Sequence, residues 1–437
     1  MNFRKLVKKL IPRNLFWKIE PIGHFFEAFI VNLINFFPMR QVKVIGVTGT
    51  NGKTTTTLLI HNMLNKAGYK VGFNSTIGYG YKDEFIPQIH HMTNVSTKEM
   101  ISRVKKMKKQ GMEWLVLETT SHALAQYRVW GVPYSIAVFT NLTHEHLAYH
   151  RTFERYRQAK VKLFKMANHN RQGLRFGVIN SDDQNSPYFE KNIKNNIKYG
   201  MKSGDLKPRN VDLKPTQLSY DSSYENTDYH IVCQIPGSFN VYNSLAALAV
   251  GIKLNLSKKQ IEDGISSLSF VEGRMNIIDQ GQPFTVIVDY AHSPDSFEKL
   301  FKDIKPMVKN KLIVLFGSLG GGDLGKRGIQ GQLAGKYADY TFVCQEDDRQ
   351  EDGLKIMNDI AIGIKSEGKK ENQDFFLIHD RPEAILAALK KAEKNDIVLF
   401  LGKGHEKTME DKDGEHPWNE TEVVEKCLTE IGYTKHR

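Results

Sequence analysis

Cysteine is scarce: Cys233, Cys344 and Cys427 are the only three in 437 residues. An odd, widely spaced set builds neither a disulfide framework nor a cysteine-rich zinc site and suits a reducing compartment, so a cytoplasmic protein is expected. Also missing is an apolar run of the ~20 residues that a membrane-spanning helix needs. The richest stretch, 25–37, is broken by Glu27, Asn32 and Asn35, and no small-residue cleavage site marks a secretory signal. Internal repeats and long low-complexity tracts are absent too. What remains is 40% hydrophobic and 25% charged, the balance of a globular chain, and its length predicts two or three domains. The net charge of +12 suits anionic ligands, and nucleic acid, a membrane surface or a nucleotide-linked substrate would each be served by it. Lys105, Lys106, Lys108 and Lys109 alternate at helical spacing with Ile101, Val104 and Met107, which reads as a solvated helix face.

The most informative stretch runs from Val44 to Thr56. An apolar strand is followed by Gly49, Thr50, Asn51, Gly52, Lys53, Thr54 and Thr55 just where a helix begins. Glycines let backbone N–H groups turn toward phosphate oxygens, the helix N-terminus adds positive potential, Lys53 reaches the outer phosphates and Thr54 offers a hydroxyl to Mg²⁺. The strict P-loop pattern is not met, because five residues separate Gly46 from Gly52 and Val47 stands where the pattern needs glycine.

Beyond residue 42, strand and helix patterns alternate. Strands are expected at Lys43–Val47, Trp114–Glu118 and Ser135–Phe139, with a helix over Thr55–Lys66 stopped by Gly68. A second series is expected at Thr285–Asp289, Leu312–Phe316, Tyr340–Cys344, Phe375–Ile378 and Ile397–Leu401. The fold class is therefore α/β: a central ATP-binding domain with a parallel sheet, then a C-terminal Rossmann-like domain. Expected boundaries are 1–40 for a short basic and apolar helical segment, 41–272 and 273–437. Residues 182–235 are rich in Asn, Lys and Ser and read as loops with an antiparallel edge of the first domain. In the N-terminal segment Arg4, Lys5, Lys8, Lys9 and Arg13 precede a run rich in Phe, Ile and Leu. It fits either an interfacial helix among lipid headgroups or a helix pair packed on the neighbouring domain.

Further blocks carry ligation chemistry. Glu118 ends a strand and is followed by Thr119–Leu124; then come Thr140–His150, Tyr156–Phe164, Gly237–Asn243, Gly273-Arg274-Met275, Asp289–Asp295 and Gly402-Lys403-Gly404-His405-Glu406. In this order, over residues 42 to 410, they resemble the Mur ligase family, most closely its MurE type, which adds the third residue of the peptidoglycan stem peptide. The phosphate loop also resembles that of folylpolyglutamate synthetases.

The resemblance implies formation of an acyl-phosphate on a peptide carboxylate by ATP with Mg²⁺, then attack by an amino acid's amine. It implies that Lys53, Lys160 and His146 are catalytic and that Thr54 and Glu118 hold one Mg²⁺. His146 and Lys160 would serve a second metal, with Lys160 carbamylated so that a cation becomes an oxygen ligand. Asn243, Arg274 and Asp289 would contact the nucleotide, and closure of the C-terminal domain over ATP would complete the site. Thr93, Ser121 and Arg128 would hold a UDP-muramyl-dipeptide-like acceptor. Asp347, Arg349, Gly402 and Glu406 would hold the incoming diamino acid, with diaminopimelate favoured over lysine because Arg349 suits a distal carboxylate.

Departures are visible as well. Met92-Thr93-Asn94-Val95 keeps one of the two usual threonines, and Glu346-Asp347-Asp348-Arg349 replaces Asp-Asn-Pro-Arg. Glu145 replaces the family's usual aspartate before His146, and Ala148 stands where the family usually has a carboxylate after the His-Leu pair. Forty residues before the first strand are too few for the family's UDP-binding domain, so the head group of the acceptor is left open. Two other readings compete: a Mur-like ligase for a different peptide or lipid-linked acceptor, and a nucleic-acid-stimulated NTPase. The Lys160, Arg274 and Asp289 blocks speak against the second, and no nucleic acid is expected.

Overall fold

Lys43–Thr48 (β1) is buried from Val44 onward, as a strand covered on both faces must be. The computed structural model describes residues 13–88, 93–143, 145–214, 216–321 and 323–434. The cations Arg4, Lys5, Lys8 and Lys9, and also Met92 and His144, lie outside the described residues.

Around β1 the chain builds an eight-stranded sheet from Val71–Asn74 (β2), Gly78–Tyr81 (β3), Ile86–Pro87 (β4), Trp114–Glu118 (β5), Tyr134–Phe139 (β6), Phe176–Asn180 (β7) and Asn195–Tyr199 (β8). The order is β4-β3-β2-β5-β1-β6-β7-β8. From β2 to β8 across the sheet every pairing is parallel, while β3 and β4 add an antiparallel margin. The helix Phe153–His169 lies directly on β1, because a Cβ at Gly46 would come within 2.7 Å of Leu163 Cδ1 and 2.6 Å of Tyr134 Cδ1. Glycine is required there for close packing.

The sequence places the principal strands to within a residue at their ends. Residues 182–235 need a correction: β8 is a parallel strand added to the main sheet, and Arg209–Leu213 (β9), Leu218–Tyr224 (β10) and Thr227–Cys233 (β11) form a separate sheet in the order β11-β10-β9. β8 escapes the pattern because it is an edge strand in which only Ile197 and Tyr199 are buried, among Asn195, Asn196 and Lys198.

The second sheet has six strands: Asn276–Ile278 (β12), Thr285–Asp289 (β13), Leu312–Phe316 (β14), Tyr340–Val343 (β15), Phe375–Leu377 (β16) and Ile397–Leu401 (β17), in the order β12-β13-β17-β14-β15-β16. Only β12 runs antiparallel to its neighbour. Period-two alternation feeds two cores. Leu312, Val314 and Phe316 pack with Phe297, Phe301 and Ile360 on one face, while Ile313 and Leu315 pack with Ile385, Val424 and Leu428 on the other. Helices cover both faces, the doubly wound arrangement.

The chain divides into two compact units that exchange short segments: Met1–Asp212, Ser219–Cys233 and Asn240–Leu268 form the first, and Leu213–Leu218, Gln234–Phe239 and Ser269–Arg437 the second. Among the described residues, no helix is long and apolar enough to cross a membrane. Among the described residues of the N-terminal segment, the helix Arg13–Ile34 precedes a 3-10 turn at Pro38–Gln41. Phe25 and Phe29 of this helix set their rings 5.3 and 5.6 Å from that of Trp130, and Asn32 Nδ2 donates to the Trp130 carbonyl at 3.3 Å.

Candidate active site

Within the first unit, strand register decides what surrounds the phosphate loop. Val47 of β1 is level with Glu118 of β5, and Thr48 with Phe139 of β6, so the segments leaving β5 and β6 flank Gly49–Lys53. A Cβ at Gly49 would sit 1.9 Å from Thr140 Oγ1, and one at Gly52, whose φ is +82°, 2.3 Å from Asn243 Oδ1. Both glycines are therefore fixed by close approach and, at Gly52, also by backbone conformation.

The segment after β6 holds the loop. Asn141 accepts from Thr50 N on its carbonyl at 2.8 Å and from Asn51 N on Oδ1 at 2.9 Å, while Thr140 Oγ1 donates to the Asn51 carbonyl at 2.7 Å. Thr50 Oγ1 accepts from Thr143 N at 3.0 Å and lies 3.0 Å from the Tyr156 hydroxyl. The helix Lys53–Lys66 starts at the lysine itself, two residues earlier than Thr55, with Gly52 as its cap. Lys53 Nζ donates to the Thr50 carbonyl at 2.7 Å, and Thr55 is buried in the first turn. Asn243 is buried behind the loop, where its Oδ1 accepts from Thr56 Oγ1 at 3.1 Å.

Glu118 is 1% exposed, and its carboxylate accepts from Thr54 Oγ1 at 3.0 Å and from Thr76 N and Oγ1, each at 2.9 Å. Thr76 follows β2, the parallel neighbour of β5, and its hydroxyl lies 2.8 Å from that of Thr93. A carboxylate and a hydroxyl at the start of the helix Lys53–Lys66 form a hard oxygen set that fits Mg²⁺. Among the described residues, no cluster of three or more His, Cys, Asp or Glu residues could hold a metal.

Lys160 is 1% exposed and donates from Nζ to the Gly49 carbonyl at 2.6 Å. Burial, reinforced by the charge of Lys53 and only partly offset by Glu145 and Glu118, holds its pKa well below the ordinary lysine value. His146, in left-handed backbone with φ +56°, sets its ring 4.8 Å from that of His122 and its Nε2 3.7 Å from Glu145. His150 Nε2 lies 3.0 Å from Ser121 Oγ. Burial, then the neighbouring His146, pushes His122 down to about 3 and His150 to about 4, so both imidazoles are neutral at pH 7. Arg128 Nη1 donates to the Asn94 carbonyl, and Asn94 returns the chain to β5 by donating to the Glu118 carbonyl at 2.7 Å and accepting from Thr120 N at 2.8 Å.

The other nominated residues belong to the second unit. Asp289 ends β13 and accepts from Met275 N and Ala291 N at 2.8 Å each; burial raises its pKa, against the pull of Arg274. The Arg274 guanidinium lies 4.7 Å from the centroid of the Tyr290 ring. Lys403 is fully buried and donates to Asp347 at 2.8 Å and to Glu406 at 2.6 Å, while the Tyr290 hydroxyl donates to Glu406 at 3.2 Å. Arg349, with φ +55°, is 43% exposed and donates from Nε to Glu410 at 3.1 Å. Gly402 has φ +102°, and a Cβ there would meet Glu346 Oε2 at 2.8 Å.

Several partners in these networks were not singled out in the sequence. Asn94, Asn141, His150, Tyr156 and Lys403 all lie inside the quoted blocks, so their neighbours were the signal. Thr76 lies in none, and only the pairing of β2 with β5 brings it to Glu118.

The fold is thus a loop-bearing parallel sheet followed by a second doubly wound unit, in which buried Lys403 is paired with Asp347 and Glu406. Two family models match the chain, Mur ligase middle domain over residues 47–251 and Mur ligase, glutamate ligase domain, over 273–404. A UDP-N-acetylmuramyl-tripeptide synthetase of Borreliella afzelii (strain PKo) is 39% identical over 414 residues, covering 93% of this chain and 81% of that protein. A UDP-N-acetylmuramoyl-L-alanyl-D-glutamate--2,6-diaminopimelate ligase of Geobacillus thermodenitrificans is 38% identical over 373 residues, covering 84% of this chain and 75% of that one. A solved structure of a ligase of the latter name superposes with a TM-score of 0.64 at 27% identity, over 95% of this chain and 84% of that chain. Mycobacterium tuberculosis folylpolyglutamate synthase, at TM-score 0.70 and 12% identity over 87% of this chain and 96% of that chain, shares the fold. The chain belongs to the Mur ligase family, whose members are ATP- and Mg²⁺-dependent amide ligases, and its relatives are of the tripeptide-synthetase type.

Proposed function

We propose that the protein joins a diamino acid to the terminal D-glutamyl carboxylate of a UDP-MurNAc-L-Ala-D-Glu-like acceptor, with diaminopimelate preferred to lysine. The observation that carries this reading is the grouping of Lys53, the Thr54–Glu118 pair and buried Lys160 around one phosphate loop. An acceptor carboxylate oxygen attacks the γ-phosphorus and ADP departs. The amino acid's amine then attacks the acyl carbon, phosphate departs, and the amine loses its proton. Lys53 steadies the negative charge on the transferring group. Thr54 and Glu118 would hold Mg²⁺, which neutralises phosphate charge when bound. Asn243, Arg274 and Asp289 contact the nucleotide; Thr93, Ser121 and Arg128 hold the acceptor.

Lys160 is carbamylated in this proposal. Its lowered pKa supports the modification, since the neutral amine is the form that adds to CO₂, and the product trades a buried cation beside Lys53 for an anion. With His146 it would complete a second Mg²⁺ site. Arg349 supports the diaminopimelate preference as a guanidinium able to pair with a distal carboxylate.

The test is phosphate release measured with acceptor and amino acid supplied separately and together. Turnover that needs both, and that falls by about 10²–10³ or more in Lys53→Ala, is expected. Unchanged turnover in the variant, or turnover without an acceptor, would defeat the assignment.

A further inference from the structure

The helix Arg13–Ile34 buries one face and leaves another bare. Ala28 and Asn32 are buried and Phe25 packs on Trp130, so this side docks on the first unit. About a third of a turn away, Ile22, Phe26, Ile30 and Leu33 follow one another at intervals of three and four residues and are 50–56% exposed. Ile34 at 69% and Phe36 at 88% extend the same stripe past the end of the helix. A contiguous apolar stripe of this kind marks an interaction surface rather than scattered surface residues.

Charge indicates what covers it. Residues 1–19 hold Arg4, Lys5, Lys8, Lys9, Arg13 and Lys18 and no acidic residue. The two carboxylates of the helix, Glu20 and Glu27, lie beside His24 at 4.0 and 3.4 Å, Glu27 at the border of the stripe. At its far end the lysine-rich helix Thr97–Lys109 runs alongside: Lys105 Nζ donates to Asn35 Oδ1 at 2.5 Å, Lys108 Nζ donates to Gln41, and the Arg40 guanidinium covers the Phe37 ring at 4.2 Å. An apolar stripe that a cationic run precedes in the sequence, with further cations beside its C-terminal end, is the pattern of a helix lying in the plane of an anionic lipid surface, its side chains among the acyl chains and its cations at the headgroups. Among the described residues, no helix is long and apolar enough to cross instead.

We propose that residues 20–36 seat the protein on anionic lipid, with Ile22, Phe26, Ile30 and Leu33 inserted. This is independent of the ligase reading, because none of these residues belongs to the nucleotide or substrate groups. The test is co-sedimentation of the full chain with vesicles of phosphatidylcholine alone or with a third of the lipid replaced by phosphatidylglycerol. Binding is expected only to the anionic vesicles, weakening as salt rises. F26S/I30N/L33S should weaken it by about tenfold or more while leaving ATP turnover in solution unchanged. Ile362→Asn, at an exposed apolar position of the second unit, should leave binding intact. No binding by the unmodified protein at low salt, or full binding by the triple variant, would overturn the proposal. So would a shift from dimer to monomer in the triple variant without vesicle binding by the parent, since the stripe would then serve a second copy of the chain.

Discussion

Lys160 and Lys403 are both buried, one in each unit, and their surroundings push their pKa values in opposite directions. Burial works against the ammonium in both. Around Lys160 the next influence is another cation, Lys53, and its bonded partner is a neutral carbonyl, so its pKa falls. Around Lys403 the carboxylates of Glu406 and Asp347 outweigh burial and its pKa rises. Depth therefore does not decide what a lysine does; the charges within a few ångströms do. Burial beside another cation disfavours the ammonium of the first, whereas the second is held as a cation between two acids.

The largest effect should come from taking Lys160 out of this comparison. Lys160→Ala is expected to lower turnover by at least about 10³ and to be partly rescued by small carboxylates that fill the vacated anionic position. Stability should change little, because no carboxylate is left without its partner; wild-type turnover in the variant would refute the role. Lys403→Met reverses the pattern: Asp347 and Glu406 lose their shared cation in a buried place, and a destabilisation of about 3–5 kcal/mol is expected in urea unfolding. A variant as stable as the parent would mean that the cluster is solvated.

The smaller effects sharpen the contrast. Arg349 is half exposed and already pairs with Glu410, so Arg349→Ala should change selectivity rather than fold. Use of diaminopimelate, measured as kcat/KM, should fall about tenfold or more relative to lysine. Equal losses for both amino acids, or a parent that prefers lysine, would shift the specificity role to Asp347. Last is the acid response. Burial pushes His61 down to about 4 in the helix that follows the phosphate loop. Between pH 6.5 and 4 the unfolded chain therefore binds a proton that the folded chain does not, so stability falls as pH falls through that window, by up to about 3 kcal/mol from this group. His61→Phe should flatten the acid side of a plot of melting temperature against pH, and an unchanged slope would assign the acid response elsewhere.

Legibility followed the same division. β1, β5, β14 and β17 are buried on both faces and read directly as short apolar runs, and the loop from Gly49 to Thr55 carried its chemistry in adjacent letters. β8 did not, since a one-sided edge strand rich in Asn and Lys looks like a loop. Glu118 was legible as the end of a strand, but its contact with Thr76 was not, because the two are 42 residues apart and meet only through the pairing of β2 with β5. The N-terminal segment was legible as a basic and apolar stretch expected to be helical. Which side would be covered required Trp130, almost a hundred residues further on.

By itself the sequence determined the nucleotide loop, the two series of buried strands and the order of the ligase blocks, because these depend on adjacent residues and on periods of two and three to four. Only the tertiary structure decided that the pKa of Lys160 is pushed down while that of Lys403 is pushed up. Each pKa is set by side chains brought from distant strands and helices to within a few ångströms, and the free energy of a buried charge depends on those neighbours rather than on the residues beside it in the chain.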